Sequence, residues 1–251
     1  MSYNRPIIVE IYADLFLQAG TLPFARFFDL VPQLQHHGFS NLESTDSVLL
    51  DMNAAGDRPG ASRVQRVRCW SADRTKLIQL APDNLTMNLV SPDGSYPGWQ
   101  AFVGDVFTPA MEALRTSLPS WCAESIALNA LDRTAISPLD SFRLGDYLNC
   151  GGPRIPAVLA DTRTAFDYDI GRGLLPLDGR NRQVHINGHV TADAYVIQMH
   201  SVLHDTVGET GNIGVVLDRL HEESVEWFES LITDRMRHEV MQGGAHAGSR
   251  L

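Results

Sequence analysis

The sequence predicts an α+β fold, with an antiparallel sheet that carries two long amphipathic helices on one face. Three observations predict it. Strand-like segments come in runs, which is typical of α+β proteins rather than of parallel α/β proteins. Each run is followed by a long stretch with apolar residues at helical spacing. No GxGxxG or Walker-type glycine loop occurs, so nothing indicates a Rossmann or P-loop nucleotide site.

The first half of the chain has the pattern of a strand, a short helix, a meander and a long helix. The first strand is predicted by β-branched and aromatic residues, and the short helix by apolar side chains at helical spacing. Pro109 lies inside the long helical pattern, so we expect a kink or two consecutive helices there. The predicted strands are 7–17, 63–71, 76–81 and 84–90, and the predicted helices are 23–35 and 97–117.

The second half repeats this order of elements. Asn187-Gly188 lies between short β-prone runs and predicts a two-residue hairpin turn. The repetition suggests a duplicated β-β-β-α unit, with halves of about 1–120 and 121–241 in a single domain and a flexible tail at 242–251. The predicted strands are 124–135, 164–170, 183–190 and 195–203, and the predicted helices are 140–148 and 213–240.

Composition excludes several classes of function. The chain has 251 residues, a formal charge of −10 and a pI of about 5.3, which argues against nucleic-acid binding. It has no secretory signal pattern and no apolar run long enough to span a membrane, so we expect a cytoplasmic protein. Its three cysteines have no CxxC spacing and predict free thiols rather than a zinc site or a disulfide framework. No cofactor is expected.

Arginines are clustered in one predicted strand. Arg66 and Arg68 share a face by the two-residue period, and Arg63 lies just before them. These three arginines are candidate interaction residues for an acidic partner or a phosphate, and a solvated sheet face is the other interpretation.

Histidines and acidic residues suggest two metal sites, neither of which we favour. The pairs His185/His189 and His200/His204 have the four-residue spacing of helical zinc ligands, but both fall on predicted strands. An acidic stretch lacks the register of an EF-hand loop. We therefore expect no metal site and interpret these side chains as strand or loop surface. The acidic stretch consists of Asp161, Asp167, Asp169 and Asp178.

Two asparagines interrupt apolar strands. Asn88 and Asn129 would lose free energy if buried without hydrogen bonds, so each must either bridge adjacent strands or line a pocket. If they line a pocket, the candidate ligand-binding residues are Asn88, Asn129, His185 and His200.

Several short motifs, in order along the chain, are shared with one protein family. They are residues 5–10 (a PIVE-like strand), 77–88 (LQ-x-x-PD-x-x-x-LN), 96–99 (YPxW), 126–131, and 220–221 with 227–235 (LH…FESLITD). By these motifs the chain resembles a sporadically distributed bacterial and archaeal family of about this length. The family's Arg-Tyr before the asparagine is replaced here by Ala127-Leu128. The family has no established activity that the resemblance could carry over.

No catalytic motif appears in a suitable context, and no GxSxG elbow is present. We therefore expect a non-catalytic interaction or regulatory protein that binds a protein partner or itself. The sporadic occurrence of the family suggests an accessory role in a defence or toxin-neutralising system. The alternative is a small-molecule-binding protein or hydrolase with a pocket between the sheet and the helices.

Overall fold

A computed structural model describes residues 7–51, 60–91, 95–137, 142–152, 154–171, 181–207 and 212–242. Its centre is a nine-stranded sheet in the order β2-β3-β4-β5-β1-β6-β9-β8-β7, and every strand pair is antiparallel. The strands are β1 (Ile8–Leu17), β2 (Asn41–Asp51), β3 (Gly60–Trp70), β4 (Lys76–Ala81), β5 (Asn84–Val90), β6 (Ala123–Ile136), β7 (Phe166–Ile170), β8 (Asn181–Val190) and β9 (Tyr195–Thr206).

The helices of the described residues pack on one face of the sheet. The predicted α+β fold with two long amphipathic helices is therefore confirmed. The helices are α1 (Phe27–His36), α2 (Trp99–Phe102), α3 (Thr108–Ser117), α4 (Leu144–Tyr147) and α5 (Ile213–Leu231). No helix in the described ranges is long and apolar enough to cross a membrane.

The first long helix is built from two α-helical pieces. A π-helical segment, Val103–Phe107, joins α2 to α3, and Pro109 lies in the first turn of α3. Proline is tolerated there because the irregular turns before it relax the usual hydrogen-bond ladder. The expected kink or pair of helices at Pro109 is thus a single helical stretch over 99–117, with the change of geometry just before the proline.

The two halves of the chain have matching strand orders. The order β1-β5-β4-β3 in the first half corresponds to β6-β9-β8-β7 in the second, and β1 pairs with β6 at the centre. Among the described residues of the second half, no strand corresponds to β2. The suggested duplication of a β-β-β-α unit stays a prediction, and both halves contribute strands to one sheet.

Two neighbouring apolar clusters fill the layer between the sheet and the helices. The first contains alternate residues of β1, such as Ile11 and Leu15, packed against α1, α3 and the start of α5. The second contains Tyr195 and Ile197 of β9 and the end of α5. The two long helices also contact each other, since Trp99 stacks on His221 with ring centroids 4.0 Å apart.

Two elements differ from the sequence-based expectation. Residues 41–51, which the sequence did not predict as a strand, form the edge strand β2. The expected hairpin turn at Asn187-Gly188 is wrong, since both residues lie inside β8 and the chain turns at 191–194 instead.

Gly188 explains the error. A Cβ atom at Gly188 would lie 2.5 Å from a ring atom of Phe166 and 2.6 Å from the hydroxyl of Tyr195. The glycine is therefore required by two aromatic rings that approach the strand, and not by a turn. The expected flexible tail falls on residues 242–251, of which only Gln242 belongs to the described residues.

Candidate functional site: the open face of the sheet

One face of the sheet carries no helix among the described residues, and we call it the open face. Its side chains stand at strand positions that alternate with the buried core positions. Many of them are polar and half-buried, and apolar side chains such as Leu77, Leu131 and Val202 stand on the same face. The polar side chains include Glu10, Tyr12 and Asp14 of β1, Thr45 of β2, Arg66 and Arg68 of β3, Gln79 of β4, Thr86 and Asn88 of β5, Asn129 of β6, Asp169 of β7, His185 of β8, and His200 and His204 of β9.

A chain of side-chain hydrogen bonds crosses four strands of this face. Arg68 Nε donates to Gln79 Oε1 (3.1 Å), and Gln79 Nε2 donates to Asn88 Oδ1 (3.2 Å). Asn88 Nδ2 then donates to Glu10 Oε1 (2.6 Å). The chain fixes the orientation of each amide, so these groups are held in place before any ligand arrives.

Asp14 is bound from both neighbouring strands. Thr86 Oγ1 donates to Asp14 Oδ1 (2.5 Å), and Asn129 Nδ2 donates to Asp14 Oδ2 (3.3 Å). Burial nevertheless raises the pKa of Asp14, although these hydrogen bonds and the charge of Arg66 act to lower it. Asn129 therefore bridges adjacent strands, and so does Asn88. Bridging was the first of the two roles that the sequence analysis considered for these asparagines.

Histidines occupy the other half of the open face. The Tyr12 hydroxyl lies 3.2 Å from His200 Nε2, and His200 is paired across the β8–β9 ladder with His185. His185 Nδ1 lies 2.8 Å from Asp169 Oδ1. Burial, and to a smaller extent the charge of His185, lowers the pKa of His200.

Four sequence-predicted ligand residues thus share one face. Asn88, Asn129, His185 and His200 all lie on the open face, and none of them faces the layer between the sheet and the helices. The pocket that the alternative function requires between these layers is therefore not lined by them.

The predicted arginine stripe is on the same face. Arg66 and Arg68 stand at equivalent positions of β3. Arg63 pairs with Val48 and occupies a strand position that belongs to the other face of β3. Its side chain lies outside the described residues.

The histidine pairs and the acidic stretch that the sequence analysis considered do not form a metal site among the described residues. No group of three or more His, Cys, Asp or Glu residues within the described ranges is arranged to hold a metal ion. His185 and His189 lie on one strand, and His185 instead contacts the carboxylates of Asp167 and Asp169. Asp161 lies in an exposed turn, and Asp178 lies outside the described residues.

Sequence reasoning missed several residues of the open face. Glu10, Tyr12 and Asp14 belong to a strand that was predicted correctly, and their two-residue alternation with Ile11 and Ala13 marks them as the side opposite the core. Thr45 was missed because its strand was not predicted.

Comparison with known protein families, with curated proteins and with solved structures finds no match. The family resemblance therefore stays a prediction.

Proposed function

We propose that this protein is a non-catalytic interaction protein and that it binds a protein partner on its open face. The observation that carries the proposal is the hydrogen-bond chain from Arg68 to Glu10, on a face that no described helix covers. Polar side chains already held in one orientation lose little conformational entropy on binding, and so favour specific association.

The chemistry of the face defines the kind of partner. Arginine, carboxamide, imidazole and carboxylate groups alternate there, and Phe16 is its main exposed apolar side chain in the described residues. Such a surface matches a polar protein surface with its own donors and acceptors, since mixed charges give specificity rather than bulk hydrophobic affinity. The expectation that the partner belongs to a defence or toxin-neutralising system is part of this proposal, and the identity of the partner would test it.

The test is capture of the partner with matched variants. Tagged protein would be isolated from its own host under mild conditions and analysed by native mass spectrometry. The open-face variant is Arg68→Gln/His200→Gln, and the control is Arg115→Gln/Glu222→Gln, which changes two exposed helical residues. Circular dichroism would confirm that both variants are folded.

The expected result is a stoichiometric protein partner that binds the wild type and the control and is lost from the open-face variant. Wild-type protein without any bound protein would overturn the proposal. So would a partner that the open-face variant retains in full. A bound small molecule in place of a protein would favour the alternative function.

A further inference from the structure

A cleft lies between α3 and the start of α5, on the helix side of the sheet and therefore away from the open face. Its volume is about 370 Å³, and small-molecule sites in proteins are typically about 300–1,000 Å³. The cleft is lined by one face of α3 with the residue before it, by Trp121 in the loop that leads to β6, and by the first residues of α5.

The apolar part of the lining is rich in aromatic and flexible side chains. Phe107 and Met111 are buried and lie one helical turn apart, while Trp121 and Ile213 are half-buried. Aromatic rings and a methionine pack well against a flat apolar group. The cleft therefore suits a ligand with an apolar or aromatic body.

The polar part of the lining consists mainly of hydrogen-bond donors that a ligand can reach. Arg115 is exposed and Trp121 is half-exposed, and the guanidinium and the indole N–H can only donate. Neither side chain forms a hydrogen bond or an ion pair with any residue that the structure describes. Asn212 Oδ1 already accepts the N–H of Gly214 (3.0 Å), which leaves Asn212 Nδ2 as a donor.

The charge of the lining is positive. Arg115 is the charged residue that lines the cleft, and the described lining residues include no aspartate or glutamate. Donors and one positive charge in a partly apolar cleft favour an anionic group that accepts hydrogen bonds. One guanidinium balances a monoanion, whereas a phosphate dianion would keep an uncompensated charge beside the apolar walls.

From this arrangement we propose that the cleft binds a small aromatic carboxylic acid, with the carboxylate on Arg115 and the ring against Phe107 and Trp121. The inference goes beyond the proposed function and does not depend on it. A planar guanidinium matches a carboxylate with two parallel N–H bonds, which an ammonium group cannot form.

The test uses hydrocinnamate as the probe, with hydrocinnamide as its uncharged analogue and phenyl phosphate as a second anion. The indole N–H signals of ¹⁵N-labelled protein would be followed by NMR during each titration. The variant Trp121→Phe assigns the Trp121 signal. The signal of Trp227, which lies near the other end of α5, serves as the internal control.

The expected result is a saturable shift of the Trp121 signal with hydrocinnamate, with a dissociation constant of about 1 mM or tighter for a ligand of this size. Hydrocinnamide should bind at least about tenfold more weakly, because it lacks the charge-assisted bonds to Arg115. No saturable shift with hydrocinnamate would overturn the inference. So would equal binding of hydrocinnamide, or tighter binding of phenyl phosphate.

Two variants locate the binding in the cleft. Arg115→Gln should reduce the affinity for hydrocinnamate to that for hydrocinnamide and leave hydrocinnamide binding unchanged. The matched control is Arg163→Gln, which changes an exposed arginine outside the lining. A general loss of folding would weaken both probes, so the charge-selective loss distinguishes binding from structure. Full hydrocinnamate binding by Arg115→Gln would overturn the inference.

The second variant fills the cleft. Thr108 lines it from an exposed position of α3, so Thr108→Trp adds a large ring there without changing the core. This variant should bind neither hydrocinnamate nor hydrocinnamide. Thr116→Trp is the matched control, since Thr116 is exposed on the same helix and does not line the cleft. Unchanged binding by Thr108→Trp would place the probe elsewhere and contradict the inference.

The inference and the proposed function fail separately, because the cleft and the open face lie on opposite sides of the sheet. The open-face variant Arg68→Gln/His200→Gln should lose the partner and keep the probe, whereas Arg115→Gln should lose the probe and keep the partner. If the wild type captures no protein, the proposed function fails while the titration still decides the inference. If hydrocinnamate does not bind, the inference fails and the proposed function stands.

Discussion

The hydroxyl of Tyr12 lies 3.2 Å from Nε2 of His200, although 188 residues separate them in the chain. Tyr12 is on β1 and His200 is on β9, with β6 between their strands. The contact therefore joins the two halves of the chain across the open face. Burial and the charges of Asp14 and Glu10 raise the pKa of Tyr12 to about 12, so the tyrosine stays neutral at physiological pH.

His200 should titrate below the ordinary histidine pKa of 6.5, because burial and His185 disfavour its charged form. Because the folded state favours the neutral form, the pKa of His200 is lower in the folded protein than in the unfolded chain. The stabilising contribution of His200 is therefore complete above the unfolded-state pKa and is lost as the pH falls through the folded-state pKa. The measurement is an NMR titration of the His200 ring signals. Replacing His185 with glutamine should raise the pKa of His200, whereas the same change at the distant exposed His36 should leave it unchanged.

Asp132 should make the protein less stable as the pH rises. It is buried between the sheet and α5, and burial raises its pKa to about 7 from the ordinary 3.8. Between these two values the unfolded chain releases the proton while the folded protein keeps it. The free energy of unfolding therefore falls from about pH 4 to pH 7, by at most about 4 kcal/mol from this group.

The matching variant is Asp132→Asn, which keeps the shape and cannot ionise. We expect it to be more stable than the wild type by about 1–3 kcal/mol at pH 8 and nearly equal to it at pH 4.5. Urea denaturation at the two pH values measures this. An equal effect of the variant at both pH values would show that Asp132 does not titrate in this range.

Gly188→Ala should destabilise the protein by about 1–3 kcal/mol, because the new methyl group would overlap the rings of Phe166 and Tyr195. It should also disturb the hydrogen bond that Tyr195 donates to the carbonyl of Thr164 (2.7 Å). The control is Gly104→Ala, where a Cβ has no neighbour within 4 Å and a helical alanine is favoured. Thermal unfolding would compare the two, and a similar Tm for both variants would contradict the packing explanation.

These residues show what the sequence can predict. The core side of β1 follows from its alternation, because Ile11, Ala13 and Leu15 repeat with the period of a strand. The role of Gly188 cannot be predicted locally, since it depends on aromatic rings from β7 and β9. The Asn-Gly rule for hairpin turns therefore predicted a turn at a glycine that close packing requires.

Sequence reasoning singled out some residues of the open face but did not predict that they form one surface. Asn88 and Asn129 stood out as polar residues in apolar strands, and His200 by its four-residue spacing to His204. Their convergence depends on the registers of the β1–β5, β1–β6 and β6–β9 pairs, which are set by packing between distant segments.

Asn88 should contribute more to stability than Asn129, although each is only 4% exposed. Asn88 accepts a hydrogen bond from Gln79 (3.2 Å) and donates a short one to the carboxylate of Glu10 (2.6 Å). Asn129 donates one longer bond to Asp14 (3.3 Å). Removing Asn88 leaves two half-buried groups without these bonds, whereas removing Asn129 breaks one bond to an Asp14 carboxylate that Thr86 still contacts.

We therefore expect Asn88→Ala to lower the free energy of unfolding by about 2–3 kcal/mol and Asn129→Ala by about 1 kcal/mol. Urea denaturation of the two variants gives the comparison. The double variant Asn88→Ala/Glu10→Ala should cost less than the sum of the single variants, because the first change already removes the bond that the second would break. Strict additivity would mean that the Asn88–Glu10 bond contributes no net free energy, and that the chain from Arg68 to Glu10 does not act as a unit.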